Sequence, residues 1–156
     1  MSDSLRNGCR FRTLNIIDDF NRKVVDIEAD FSFPSTSVIS ILRRAIHEYG
    51  KPAKIRTDNG PEFISGELTN WCDKSGIDIQ YIQPGKPTQN AYIERFNQTF
   101  RNDFLSAHLF EDIFQVREMI EDWIEDYNYF RPHESLGNIP PIHKEKNLTL
   151  KNKKVA

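Results

Sequence analysis

The chain has 156 residues, 38% of them hydrophobic and 28% charged, with a formal net charge of -2. That length suits one globular domain rather than two; no apolar run approaches the roughly 20 residues of a membrane span, and no basic start with an apolar stretch marks a secretion signal, so the cytoplasm is the expected compartment. The slight acidity argues against a domain devoted only to coating DNA phosphates, unless its acids gather at a metal site.

Asn7-Gly8 is a hairpin signal after a short strand stub, and a strand over 11–17 follows it. Asp18-Asp19-Phe20-Asn21-Arg22 makes a second turn into a strand over 23–30, where Val25, Ile27 and Ala29 alternate with Asp26, Glu28 and Asp30. These segments predict an antiparallel meander. Pro34-Ser35-Thr36 then starts a helix whose Val38, Ile41, Leu42, Ala45, Ile46 and Tyr49 share one face, and Gly50 ends it. A short strand over 53–57, a helix opened by Pro61 and Glu62 and stopped by Gly76, and a strand over 77–82 come next. The expected fold is therefore α/β, with a mixed central sheet of antiparallel and then parallel strands flanked by helices.

Residues 83–89 are rich in Pro, Gly, Lys, Thr and Gln and predict an exposed loop. Amphipathic helices are predicted over 90–107 and 111–129, the second with Ile113, Val116, Ile120, Trp123, Ile124 and Tyr127 on one face. Periodicity is then lost, so residues 1–136 are taken as the core domain and 137–156 as a tail whose Lys144, Lys146, Lys151, Lys153 and Lys154 read as a solvated end. Cys9 and Cys72 have no partner at disulfide or zinc spacing and read as free thiols. Trp71, Trp123 and the 11 phenylalanines are most simply core.

Two carboxylates stand out. Asp58 falls just after a strand and before a helix, at the carboxyl end of the sheet where open sheets place ligands; equally, Asp58-Asn59-Gly60 can be a plain turn. Glu94 shares a polar strip with Asn90, Asn97 and Arg101, beside an apolar strip of Ile93, Phe96, Phe100 and Phe104. That puts it on the rim of a buried face, and an ordinary surface glutamate is the competing reading.

Thirty-five residues separate the two acids, and both have distinctive flanks. Thr57-Asp58-Asn59-Gly60-Pro61-Glu62-Phe63 and Pro84-Gly85-Lys86-Pro87-Thr88-Gln89-Asn90-Ala91-Tyr92-Ile93-Glu94-Arg95-Phe96-Asn97 resemble the second and third acidic motifs of the DDE integrases, most closely the transposases encoded by the second reading frame of bacterial insertion elements. Asp18 to Arg22, and the later Tyr127-Asn128 and Arg131-Pro132-His133 with Leu136-Gly137, are similar to that group too, so the likeness covers about residues 11–141. The resemblance implies a ribonuclease H-like fold, DNA as partner and a homo-oligomer. It also implies catalytic and metal-binding roles for Asp58 and Glu94 in a site for two Mg²⁺ or Mn²⁺ ions, cutting DNA and joining its 3′-hydroxyl without a nucleotide cofactor. Lys86, Thr88, Gln89, Asn90, Arg95 and Arg101 would meet DNA there, although loop solubility also explains Lys86 and Gln89.

The family's first aspartate stands before the Asn-Gly turn. The alignment places it upstream of Met1 and makes Asp3 no substitute, so this polypeptide alone is expected to be inactive. The alternative is a non-catalytic remnant that binds DNA or sister subunits. Asp18 and Asp19 read as turn residues, Glu62 as an acid in a first helical turn and His133 as a structural hydrogen-bonding group.

Overall fold

The computed structural model describes residues 1–144; the expected roles of Lys146, Lys151, Lys153 and Lys154 lie outside the described residues. Strand β1 (Ser2–Ser4) pairs antiparallel with β2 (Arg10–Ile17), and β2 with β3 (Val24–Asp30), giving the expected meander. Strands β4 (Lys54–Thr57) and β5 (Asp78–Tyr81) form a separate parallel pair. Helices α1 (Ser35–Tyr49), α2 (Gly66–Ser75), α3 (Ala91–Phe100) and α4 (Ile113–Glu125) pack around these strands, and no helix among the described residues is long and apolar enough to cross a membrane.

Alternation along β2 divides the interior. Phe11 joins Val24, Ile27 and Ala29 in a cluster with Phe96, Phe100 and Phe104 of the α3 side and Val116, Ile120 and Trp123 of α4. Leu14 and Ile16, on the opposite face, pack against a second cluster built from Val38, Ile41 and Leu42 of α1 with Leu68 and Cys72 of α2. Helices therefore cover both faces of the strands, and each face is apolar for that reason. The pairing of β2 with β3 slips between Ile16 and Ile17, and this bulge inverts the alternation at its start: Val24 is buried where Val25 was expected. The acids of β3 lie on the α1 side, where Arg44 of α1 binds Asp26 at 2.6 Å and Glu28 at 2.8 Å.

Local boundaries differ from expectation in three places. The first hairpin uses a wider loop, over residues 5–9, in which Gly8 takes φ +85° and the Asn7 side chain accepts from Cys9 N. Helix α2 starts at Gly66, because Ser65 accepts from Leu68 N as a cap; residues 61–64 form a turn instead. Helices α3 and α4 each end in a widened π turn, Arg101–Leu105 and Asp126–Phe130. Past Gly137 the chain stays packed, with Ile139 bridged to His133 and Pro141 fully buried.

His133 lies in this late segment, its ring 4.5 Å from that of Tyr127. Burial pushes its pKa below the usual 6.5; the Tyr127 carbonyl pulls it part of the way back, and Arg131 and Arg95 add smaller downward pushes. A lowered folded-state pKa means that the stabilising contribution is present above 6.5 and lost as pH falls through the folded value. Urea midpoints measured from pH 7.5 to 5 should therefore fall on acidification, and His133→Asn should flatten part of that slope.

Candidate active site

Strand β4 ends at Thr57, and the following turn is fixed at both ends of its span. Asp58 Oδ1 accepts from Gly60 N at 2.8 Å, and Asn59 Nδ2 donates to Ile82 O at 3.0 Å. Ile82 N in turn donates to Thr57 O at 3.0 Å, so the carboxyl ends of β4 and β5 hold the turn between them. Asp58 is exposed at this position.

The space around Gly60 is tight, though its backbone angle is ordinary. A Cβ there would sit 3.0 Å from Asp58 Oδ1 and 3.1 Å from Glu62 Oε2. Two carboxylates thus converge on one glycine. The Glu62 side chain is only 11% exposed, and its Oε1 meets Arg12 Nη2 of β2 at 2.6 Å. Glu62 was expected to serve a helix start; with α2 beginning later, it faces Asp58 and ties this turn to β2 instead.

These groups line one groove of about 650 Å³ that runs between β2 and β4, floored by Val38, Leu42 and Ala45 of α1. Asn90, Ile93 and Asn97 of the α3 side reach it, and Asn15 Nδ2 of β2 donates to Asn97 Oδ1 at 2.8 Å. Glu94 lies on α3 between Ile93 and Asn97, with its side chain exposed. Met1 also enters the groove: its ammonium donates to Thr13 O at 2.6 Å. Burial, Arg12 and Arg101 lower the pKa of that ammonium, while Asp58 and Glu62 oppose them.

The sequence-derived DNA contacts are spread unevenly. Lys86 and Thr88 are exposed, and Gln89 Oε1 accepts from Gln83 N at 2.9 Å, folding the loop on itself. Thr88 and Gln89 line a smaller pocket with Arg56 and Gln80. Arg95 is 75% exposed and only 3.9 Å from Glu134. Arg101 is committed elsewhere, donating to Ser2 O at 2.7 Å and lying 3.7 Å from Asp3. Asp18 and Asp19 are turn residues: Asp18 Oδ1 accepts from Phe20 N, and Asp19 pairs with Arg56 at 2.9 Å.

Asp58 Oδ2 and the Glu94 carboxylate have no hydrogen-bond partner among the described residues. Free hard-oxygen donors of this kind suit Mg²⁺ or Mn²⁺, so each of the two fits such an ion in kind, although Glu94 is not among the residues that line the groove beside Asp58. Among the described residues, no three His, Cys, Asp or Glu side chains come close enough together to hold one.

The integrase core domain family matches this chain twice, over residues 3–87 and 75–141. A protein of insertion element IS476 from Xanthomonas euvesicatoria is 45% identical over 139 residues, covering 89% of this chain and 40% of the relative. A protein of insertion element IS407 from Burkholderia multivorans is 43% identical over 139 residues, covering 89% of this chain and 50% of the relative. The chain therefore spans half or less of these relatives. The catalytic core domain of HTLV-2 integrase, solved in complex with magnesium in a trimeric form, superposes with a TM-score of 0.70 at 20% identity, covering 92% of this chain and 89% of that one.

Proposed function

Because the chain belongs to the integrase core domain family, we propose that it is the catalytic core of an insertion-element transposase, a metal-dependent enzyme that cleaves DNA and joins the freed 3′-hydroxyl to a target. The observation that carries this reading is the Asp58 turn: a carboxylate with one unengaged oxygen, fixed at the ends of two parallel strands and lining a groove that α3 also borders.

In this reading Asp58 and Glu94 supply carboxylate oxygens to Mg²⁺ or Mn²⁺. An ion held by them would supply Lewis-acid activation of the attacking oxygen and charge stabilisation of the leaving one. Lys86, Thr88, Gln89, Asn90 and Arg95 donate to phosphate oxygens, whereas Arg101 acts on β1 through Ser2 and Asp3. The working unit is a homo-oligomer pairing DNA ends, and the packed segment through Pro141 is counted with the core rather than with the tail expected from residue 137.

The first of the three acids belongs, on this proposal, to a continuation of β1 before Met1. Support comes from the groove. Met1 exchanges backbone hydrogen bonds with Thr13 in both directions, so the β1–β2 ladder runs to the first residue; past Thr13, among the described residues, β2 has no strand partner on that side and β4 is paired with β5 alone. A strand continued there would lie against both free edges and bring its side chains beside Asp58. The alternative reading for this polypeptide alone is a DNA-binding or self-associating remnant.

The test is oligonucleotide strand transfer in Mn²⁺, comparing this chain with one extended upstream through the preceding codons. Joined product from the extended chain alone is expected. Equal activity in both would remove the need for an upstream acid, and none in either, with DNA binding retained, would establish the remnant.

A further inference from the structure

We infer that Arg22, at the tip of the β2–β3 hairpin, is a positioning residue for Glu94, acting through Tyr92; the inference rests on the role proposed above for Glu94. The guanidinium carbon of Arg22 lies 3.3 Å from the centroid of the Tyr92 ring, a direct cation–π stack between the hairpin tip and the first turn of α3. Tyr92 is two residues before Glu94.

Helix α3 has little of its own to fix that turn. Asn90 at its N-cap makes no side-chain hydrogen bond, and the helix follows a short 3₁₀ segment, Pro87–Asn90. An uncapped first turn frays unless something outside the helix holds it. Two contacts from one hairpin do so: Arg22 on Tyr92, and Asn15 on Asn97 at 2.8 Å. Glu94 stands between the two attachment points.

Arg22 occupies this place at a cost. Its φ is +64°, a left-handed conformation uncommon for a residue with a side chain, and its Nε and Nη1 are buried without hydrogen-bond partners. Strain and unmet donors held in one residue are retained where the surroundings over-determine it. Here they do: Arg22 N donates to Asp18 O at 2.9 Å, and two residues on, the buried Asn128 side chain accepts from Val24 N at 2.8 Å and donates to Val24 O at 2.9 Å. The late Tyr127-Asn128 motif, outside both acidic motifs, thus props the hairpin whose tip props α3.

Amide hydrogen exchange on the 156-residue chain, resolved by residue, tests this. Arg22→Ala should speed exchange over residues 92–97 about tenfold relative to β4 and α1, a local opening rather than a global one. Tyr92→Ala, at a ring 46% exposed and so tolerant of truncation, should reproduce the effect, and Tyr92→Phe, which keeps the ring face, should behave as wild type. Unchanged exchange over 92–97 in the alanine variants, or an equal rise across β4 and α1, overturns the inference. In strand transfer by the upstream-extended protein, Arg22→Ala should lower kcat with KM for DNA unchanged. If Glu94→Gln keeps full activity there while the exchange result holds, the role of Glu94 falls and the tether stands.

Discussion

Asp58→Asn is expected to lower divalent-dependent strand transfer by the upstream-extended protein at least about a hundredfold, while changing folding stability by no more than about 0.5 kcal/mol. The substitution is chosen because it separates charge from geometry. Asparagine keeps the oxygen that accepts from Gly60 N, so the turn between β4 and β5 should persist. What it loses is the anionic oxygen left free. Charge stabilisation by a bound divalent ion is worth several kcal/mol in the transition state, and each 1.4 kcal/mol or so is a factor of ten in rate. Asp73→Asn, at an exposed position on α2, serves as the matched control for removing one negative charge. Comparable rates for the two variants would reject Asp58 as a metal ligand.

Asn128→Leu should destabilise the fold by about 2–5 kcal/mol, read from the shift in urea midpoint at constant slope. Asn128 is 3% exposed, and its amide satisfies both backbone groups of Val24 across 104 residues of chain. Leucine is close in size but can neither donate nor accept. It would leave a buried N–H and a buried C=O unpaired, each costing about 1–3 kcal/mol. Asn128→Asp discriminates the cause: it can still accept from Val24 N but cannot donate to Val24 O when ionised, so it should lose stability and recover part of it on acidification. A loss below about 1 kcal/mol for leucine would show that water replaces the side chain.

Much of the architecture is legible before any coordinates. The alternation of Ile27 and Ala29 with the acids of β3 and the helical spacing of Val38, Ile41, Leu42 and Ala45 require one buried face each, and those residues are buried. Asp58 is legible as the residue after a strand, because Asn-Gly-Pro cannot extend one. Other features are not, and each miss has a cause. Pro61 and Glu62 carry the same start signals as a helix, but Ser65 provides the better cap and wins. The slip at Ile16 and Ile17 depends on pairing partners, which one strand's pattern cannot report. The approach of Glu62 to Arg12 joins residues 50 apart and follows only from the fold. Asn97 was visible in the polar strip of α3, yet nothing local names Asn15 as its partner.

The widened turn at Arg101–Leu105 has a geometric consequence for the aromatic core. Four residues of ordinary α-helix overshoot a full revolution by about 40°, so rings spaced by four would spiral away from any single neighbour. Phe96 to Phe100 is such a step; Phe100 to Phe104 crosses into the looser winding, which rotates less per residue and swings the third ring back. All three rings accordingly meet the one indole of Trp123, at 5.8, 4.9 and 6.4 Å. The number of residues in that stretch is thus as constrained as their chemistry: deleting one would retighten the coil and unthread the column from its tryptophan.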